Sequence, residues 1–175
     1  RELEILLKEN GQGAGKFAGI TQNHPAACVQ WLSEILKTFS SPTVAVLGLS
    51  PSPGTDDLRE TPAVDILKQL AAPMAEAAPD GSGCFKLYVP WGMDQVKWRL
   101  YAVRDAFTFC PSPAAATRNA DVLLILGRWP GGSGVLGSAL KKRMTGRLIV
   151  DAAAMFDRTK AESLGFDYLT LLETR

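Results

Sequence analysis

One loop in this sequence carries a dense group of polar and charged side chains suited to contact a charged ligand. Thr55, Asp56, Asp57, Arg59 and Glu60 lie within six positions, between a short apolar run and a helical pattern. An arginine fork can bind an anion, and neighbouring carboxylates can orient the arginine. The same residue types also have an ordinary structural use, because Thr and Asp favour turns and an arginine can pair with a nearby acid on a solvated loop. The residue types alone leave both uses open.

The segments on either side of this loop predict how it is held. Thr43–Leu47 is an apolar, β-branched run typical of a strand buried on both faces, and Gly48 ends it. Thr61 is a good N-cap, and Pro62 suits the first turn of a helix because it has no N–H to leave unpaired. A strand, a loop and a helix N-terminus in this order direct backbone N–H groups toward an anion. The loop nevertheless matches neither G-x-x-x-x-G-K-[ST] nor G-x-G-x-x-G.

Strand-like and helix-like segments alternate along the rest of the chain. Further strands are expected at Cys84–Val89, Val122–Leu126, Leu148–Val150 and Tyr168–Leu172, and helices over 62–71, 93–107, 112–119, 135–144 and 158–164, with a loose connection at 73–83. This alternation predicts an α/β fold, a Rossmann-like parallel sheet with helices on both faces and ligands at the carboxyl ends of the strands. Val44–Leu47, Val122–Leu126 and Leu148–Val150 are the most uniformly apolar runs, so we expect them to be adjacent central strands.

A long amphipathic helix is expected to precede the sheet. Pro25 marks its first turn, and apolar residues recur behind it at spacings of three and four: Cys28, Trp31, Leu32, Ile35, Leu36 and Phe39. Such a stripe packs either on the sheet of its own domain or against a helix of a partner domain or a second copy. A further short helix is expected over residues 1–10. Because the chain begins at Arg1 rather than at Met, we expect a fragment or a processed form of a longer protein.

Composition and charge argue against several classes of function. Nineteen basic and eighteen acidic residues give a net charge of +1, without the clustered Lys and Arg of a nucleic-acid-binding surface. No apolar run is long enough to span a membrane. Cys28, Cys84 and Cys110 fit neither a metal-binding spacing nor an even set of disulfides, so we expect no metal and a reducing, cytoplasmic setting. His24, the only histidine, is expected to be a capping or surface residue rather than a catalytic one.

Four motifs resemble those of one family, in the same order and at similar spacing. Gly48–Ala63 is similar to the pattern G-L-[AS]-F-K-x-x-T-D-D-x-R-E-S-P-A, and Ala120–Leu126 with Trp129 is similar to gaDalvilTeW. Val150–Asp151 with Met155–Asp157 resembles DgRnifD, and Gly165–Tyr168 resembles the closing GF-x-Y. These motifs resemble the C-terminal, nucleotide-sugar-binding domain of the UDP-glucose/GDP-mannose dehydrogenase family. The resemblance extends from Gln22 to Leu172.

The resemblance implies a function in the oxidation of nucleotide sugars. Members of the family oxidise the C6 alcohol of a UDP-hexose to a carboxylate in two NAD-dependent steps, in polysaccharide biosynthesis. Their N-terminal dehydrogenase domain is joined to this domain by a long helix that also builds a dimer interface. The resemblance therefore implies a helical connector or dimerisation segment at residues 1–41 and a nucleotide-sugar-binding domain at residues 42–175. The helix at 25–39 would contact the N-terminal domain or a second copy.

The resemblance also implies which residues bind. They are Ser52, Thr55, Asp56, Asp57, Arg59 and Glu60. Arg59 would approach a phosphate, or the NAD held by the other domain, and the acids would fix the loop and orient Arg59. No catalytic residue is expected in this chain, because the family's dinucleotide fingerprint and catalytic cysteine belong to the N-terminal domain. Cys84 superficially resembles that cysteine, but it opens a predicted buried strand, where a thiol is a poor nucleophile.

Three positions depart from the family pattern. Pro51–Ser52 replaces Phe-Lys, Ala153 replaces Arg, and Gly127–Arg128 replaces Thr-Glu. The first two exchanges remove positive charge that would face a nucleotide diphosphate, and a serine hydroxyl cannot replace a charge. The alternative function is therefore a non-catalytic interaction or scaffold domain that keeps the fold and has lost its ligand. The intact T-D-D-x-R-E favours binding, whereas Ser52 and Ala153 favour the scaffold.

Overall fold

A six-stranded parallel sheet forms the centre of the described structure. The computed structural model describes residues 25–49, 61–77 and 84–170. The strands are β1 (Val44–Leu47), β2 (Phe85–Tyr88), β3 (Phe107–Phe109), β4 (Val122–Ile125), β5 (Leu148–Asp151) and β6 (Asp167–Thr170). Their order across the sheet is β3-β2-β1-β4-β5-β6, and every neighbouring pair is parallel. The prediction that β1, β4 and β5 are adjacent interior strands is confirmed.

Helices pack on both faces of the sheet and close two apolar cores. They are α1 (Pro25–Lys37), α2 (Pro62–Ala77), α3 (Met93–Arg99), α4 (Pro113–Thr117), α5 (Ser138–Arg143) and α6 (Arg158–Ser163), with 3₁₀ helices at Tyr101–Ala106 and Gly132–Val135. Val44 and Val46 of β1 point into the core formed with α1, α2 and α3. Ala45 and Leu47 point into the core formed with α4, α5 and α6. Alternate side chains of one strand therefore serve both faces, which confirms the predicted Rossmann-like fold.

The apolar stripe of α1 is buried within its own chain. Five of its six members are between 0% and 6% exposed: Cys28, Trp31, Leu32, Ile35 and Leu36. They share a core with α2 and β1, and Phe39 packs partly buried against the same core. Of the two arrangements expected for this stripe, the structure shows packing on its own domain. Contact of α1 with a partner would use its other face and stays a prediction, as does the boundary after residue 41.

Helix α2 is longer than the sequence predicted. It continues through Pro73 to Ala77, where a loose connection was expected. Pro73 removes one backbone hydrogen bond, but it lies on the exposed side of the helix. Met74 packs against the core, with its sulfur 3.3 Å from Cys84 Sγ. Tertiary packing of this kind supplies most helix stability in proteins, and here it outweighs the local effect of a proline.

The segment predicted as one helix over 93–107 is divided in three. α3 ends at Arg99, the 3₁₀ helix Tyr101–Ala106 follows, and Phe107 opens the unpredicted edge strand β3. The Phe107 ring stacks on Phe85 with centroids 5.3 Å apart. A strand of three residues is too short to show a period of two in the sequence, so its partner β2 decides the conformation.

The remaining elements lie near their predicted positions. α4 and α6 fall within their predicted ranges, whereas α5 begins at Ser138 rather than at Val135, because the 3₁₀ helix Gly132–Val135 precedes it. The predicted helix over 1–10 and His24 lie outside the described residues. No helix in the described ranges is both long and apolar enough to cross a lipid bilayer.

Candidate functional site

The strand order of the sheet reverses between β1 and β4. From β1 the chain continues to β2 on one side, and from β4 it continues to β5 on the other side. In an open parallel sheet, the two connections diverge at such a point and leave a crevice at the carboxyl ends of the strands, where ligands bind. The carboxyl ends of β1 and β4 are therefore the candidate site.

The six residues predicted to bind a ligand lie outside the described residues. They are Ser52, Thr55, Asp56, Asp57, Arg59 and Glu60. Both flanks of their loop are described, with Gly48 and Leu49 directly after β1 and Thr61 directly before α2. The loop therefore leaves from the carboxyl end of β1, beside the reversal of strand order. The roles of its residues stay predictions.

Thr61 lies at the N-terminus of α2 without capping it through its side chain. α2 begins at Pro62, as predicted, and the Thr61 carbonyl accepts a hydrogen bond from Val64 N at 3.2 Å. Thr61 is 1% exposed, and among the described residues its Oγ1 has no hydrogen-bond partner. The predicted side-chain cap is therefore absent. A buried hydroxyl without a partner costs free energy, and this one is next to the crevice loop.

Gly48 allows the chain to turn where β1 and β4 end side by side. Its φ of +73° is in the left-handed region, which glycine adopts without strain. A Cβ at this position would overlap the Gly127 carbonyl oxygen and lie 2.8 Å from the Trp129 ring. Gly48 N also donates to the carbonyl oxygen of Tyr88 at 3.1 Å. The ends of β1, β2 and β4 are thus brought together at a position that only glycine fits.

Trp129 packs beneath the connections that surround the crevice. It is 8% exposed, and its ring meets the Tyr88 ring edge-on with centroids 6.3 Å apart. A Cβ on Gly132 would lie 2.9 Å from the indole and 2.7 Å from Met155 Cε. Trp129 therefore packs against the end of β2 and against glycines in the connections after β1 and β4. In the sequence it was visible only as part of a motif.

A buried carboxylate holds the loop after β5. Asp151 is 0% exposed and accepts hydrogen bonds from Ala153 N at 3.1 Å and Phe156 N at 2.8 Å. The Tyr168 hydroxyl donates to Asp151 Oδ2 at 2.6 Å. Burying a carboxylate is costly unless its oxygens are hydrogen-bonded, and these three donors meet that requirement. Asp151 thus acts as an anchor of the 152–156 loop.

Tyr168 remains a donor to Asp151 at neutral pH. Burial raises the pKa of its phenol, and the charge of Asp151 and the hydrogen bond to it raise that pKa further. The guanidinium of Arg158, 5.1 Å from the ring centroid, lowers the pKa by a smaller amount. The hydroxyl therefore keeps its proton well above the pH at which a tyrosine normally ionises.

Asp121, a further acidic residue of these motifs, lies at the opposite ends of the strands, where β1 and β4 begin. Its Oδ2 accepts a hydrogen bond from Thr43 N at 2.8 Å, and its own N donates to Thr43 O at 2.8 Å. Thr43 directly precedes β1, and Asp121 directly precedes β4. Asp121 therefore joins the amino ends of the two central strands and is remote from the crevice.

The guanidinium of Arg128 is exposed at the carboxyl ends of the strands. It follows Gly127 in the connection after β4, and its Nη1 donates to the Ala154 carbonyl oxygen at 3.0 Å. Ala154 has a φ of +49°, so the loop after β5 makes a left-handed turn at this contact. Ala153, where the resemblance places an arginine, lies beside it and is partly buried. The side chain of Arg128 thus connects the loops after β4 and β5.

The three cysteines are thiols in buried or partly buried surroundings. Cys28 is 0% exposed, and burial raises its pKa to about 12. Burial also raises the pKa of Cys84, which lies directly before β2, and that of Cys110, although the charge of Lys86 lowers the latter. A thiol that keeps its proton is a weak nucleophile, which supports the predicted structural role of Cys84. Within the described ranges, no three side chains form a group suited to bind a metal ion.

Comparison with known proteins decides the family. Residues 45–158 match the UDP binding domain of the UDP-glucose/GDP-mannose dehydrogenase family. This chain belongs to that family. The matched range includes all but the first residue of β1 and the whole of β4 and β5, together with Gly48, Arg128, Trp129 and Asp151.

The relatives are longer than this chain. UDP-glucose 6-dehydrogenase from Rhizobium meliloti is 27% identical over 128 residues, which cover 73% of this chain and 26% of that protein. UDP-N-acetyl-D-mannosamine dehydrogenase from Campylobacter jejuni is 33% identical over 109 residues, which cover 62% of this chain and 24% of that protein. The structure of a UDP-glucose dehydrogenase from the archaeon Pyrobaculum islandicum matches with a TM-score of 0.58 and 25% identity, over 86% of this chain and 30% of that one. The chain spans about a quarter of the length of these two curated relatives.

Proposed function

We propose that this UDP binding domain holds a UDP-sugar in the crevice between the connections after β1 and β4, as part of a UDP-sugar 6-dehydrogenase-like protein. One observation carries the proposal: residues 45–158 match a UDP binding domain, and they include the point at which the strand order reverses. The diphosphate would lie at the N-terminus of α2, where unpaired backbone N–H groups and the helix dipole favour an anion. The hydroxyl of Thr61, which has no hydrogen-bond partner among the described residues, supports this position, since a ligand oxygen would provide one.

The loop before α2 would supply the remaining contacts. Arg59 would bind a phosphate, or approach NAD held by another domain, while Asp56, Asp57 and Glu60 orient it. Thr55 and Ser52 would lie beside the ligand. Because Ser52 and Ala153 replace two cations of the family pattern, binding by this chain alone should be weak, in the millimolar range. Each lost charge-assisted contact costs on the order of 1.5–3 kcal/mol, or roughly one to two decades in affinity.

Oxidation of the sugar would require groups from outside this domain. Conversion of a C6 alcohol to a carboxylate through a thiohemiacetal needs an activated cysteine and a bound nicotinamide. Burial raises the pKa of all three cysteines of this chain. We therefore assign the catalytic cysteine and most NAD contacts to an N-terminal dehydrogenase domain, with the outer face of α1 contacting that domain or a second copy in a dimer. Three free thiols also fit a cytoplasmic location.

The test is a titration of the 175-residue chain with UDP-glucose and with UDP. Backbone amide signals of Gly48 and Ala63, on either side of the loop, should shift saturably at millimolar ligand. Arg59→Ala should weaken binding by about ten- to a hundredfold, because one charge-assisted contact is lost. Arg104→Ala is the control, since Arg104 stacks on Tyr101 in the 3₁₀ helix before β3 and should not alter binding.

The alternative, a scaffold domain that has lost its ligand, predicts no shifts at millimolar ligand. Repeating the titration with the N-terminal dehydrogenase domain attached then decides between the two. If the longer protein also shows no shifts, the binding proposal is overturned.

A further inference from the structure

We propose that Arg128 contacts the phosphates of the ligand and supplies part of the positive charge missing at Ser52 and Ala153. This inference rests on the proposed function, because it assigns a new contact within the same crevice. Three observations support it: the position of Arg128 in the fold, the hydrogen bond that holds its guanidinium, and the lack of an ion-pair partner for it in the described part of the chain.

Arg128 lies one residue from the place where the connections after β1 and β4 come into contact. The carbonyl oxygen of Gly127 is the atom that a Cβ on Gly48 would overlap, so the two connections touch there. Arg128 is the next residue, and its exposed side chain extends from the carboxyl edge of the sheet. A cation in this connection lies at the end of the sheet where a doubly wound fold binds its ligand.

The guanidinium is held in place by one of its donors. Nη1 donates to the Ala154 carbonyl oxygen at 3.0 Å, on the loop that Asp151 anchors through Ala153 N and Phe156 N. A guanidinium carries five N–H donors in a planar fork that matches the oxygens of a phosphate. One of these donors binds a carbonyl group, and the guanidinium has further N–H donors that could bind an anion. The entropy lost on binding is smaller because the side chain is already ordered.

The charge of Arg128 is not neutralised within the described part of the chain. The ion pairs there involve Arg99, Arg147 and Arg158 with Asp65, Asp167 and Glu162. Asp151 is buried, and its oxygens accept from Tyr168 and two backbone N–H groups. A cation that pairs with no acid in the described part of the chain can attract an anion to the crevice, whereas the acid that the family pattern has at this position would repel one.

Arg128→Gln separates charge from hydrogen bonding. The glutamine amide can still donate to Ala154 O, but it carries no charge. Arg128→Lys keeps the charge and loses the fork. Arg147→Gln is the matched control, because Arg147 directly precedes β5 at the opposite edge, is 68% exposed and is 3.8 Å from Asp167. UDP and uridine are titrated into wild type and the three variants by amide chemical shift, with thermal unfolding as a check of the fold.

A phosphate contact predicts a specific pattern. Arg128→Gln should weaken UDP binding roughly tenfold or more and leave uridine binding unchanged, since uridine lacks phosphates. Arg128→Lys should retain most of the affinity for UDP, and Arg147→Gln should behave as wild type. Equal affinity of wild type and Arg128→Gln for UDP would overturn this inference and leave the proposed function intact. Equal weakening of UDP and uridine would overturn it in favour of a loop-holding role. No UDP binding by wild type would overturn the inference and, for this isolated chain, the proposed site as well.

Discussion

Among single residues, the hydrogen-bonded pair of Asp151 and Tyr168 has the largest structural role at the candidate site. Asp151 is the last residue of β5. Its oxygens accept hydrogen bonds from the Tyr168 hydroxyl and from two N–H groups of the following loop. That loop carries Ala154, to which Arg128 is hydrogen-bonded, and Met155, which packs near Gly132. A buried polar group thus holds the loop after β5, at the carboxyl ends of the strands, without being exposed itself.

Tyr168→Phe should lower the free energy of unfolding by about 1–3 kcal/mol. The substitution removes one donor and leaves an Asp151 oxygen buried without that partner, which costs more than a surface hydrogen bond. Urea unfolding measures the change. Tyr101→Phe is the control, since Tyr101 is 64% exposed and should change stability little. Equal stability of Tyr168→Phe and wild type would show that the pair does not hold the loop.

Cys28 should make stability depend on alkaline pH. Burial raises its pKa to about 12 from the ordinary value of 9.0. Between these values the unfolded thiol loses its proton while the folded thiol keeps it, so the unfolded state binds fewer protons. The contribution is fully present below pH 9.0 and is lost as pH rises toward about 12, at up to about 1.4 kcal/mol per pH unit.

Comparison with Cys28→Ala isolates this effect from other groups that titrate at high pH. The free energy of unfolding of wild type should fall more steeply than that of the variant over this range, so the difference between them changes with pH. Chemical unfolding at a series of pH values gives both curves. Parallel curves would mean that the Cys28 thiol ionises equally easily in the folded state.

At the scale of elements, α1 and α2 form one layer that belongs to this domain. The stripe of α1 packs with α2 and β1 in a single core, so its apolar residues are not free to contact a partner. Ile35 is 0% exposed within this layer, whereas Glu34 is on the exposed face. The structure thus assigns opposite faces of one helix to the core and to solvent.

Ile35→Ala should destabilise the fold without changing the oligomeric state. Truncating a buried isoleucine leaves a cavity and costs roughly 2–5 kcal/mol, which chemical unfolding detects. Glu34→Ala should change stability by less than about 0.5 kcal/mol because it lies on the surface. Size-exclusion chromatography of both variants tests the association. A change from dimer to monomer in Ile35→Ala, with unfolding unchanged, would instead show that the stripe holds two chains together.

At the scale of the whole molecule, the two ends of the parallel strands differ in what they carry. The amino edge of the sheet is joined by bonds such as that between Thr43 and Asp121, and both faces are covered by helices. The carboxyl ends of the strands carry Gly48, the exposed Arg128 and the flanks of the charged loop. The chain spans about 30% of a solved UDP-glucose dehydrogenase.

The sequence by itself determined the architecture and the family. Uniformly apolar runs such as Val122–Leu126 are read without ambiguity because strands buried on both faces tolerate few polar residues. The helix from Pro25 was equally clear, since its stripe repeats over several turns. Four motifs in order were enough to indicate the family, which the match over residues 45–158 then showed.

Only the tertiary structure decided at which end of the sheet each polar motif residue lies and what it holds there. Asp121 and Asp151 look alike in the sequence, each beside an apolar run, yet one joins the amino ends of β1 and β4 and the other anchors a loop at the carboxyl edge. The course of α2 through Pro73 and the edge strand β3 likewise depend on neighbours distant in sequence. Local patterns report burial and periodicity, whereas the position of a polar group relative to other strands is set by the topology of the sheet.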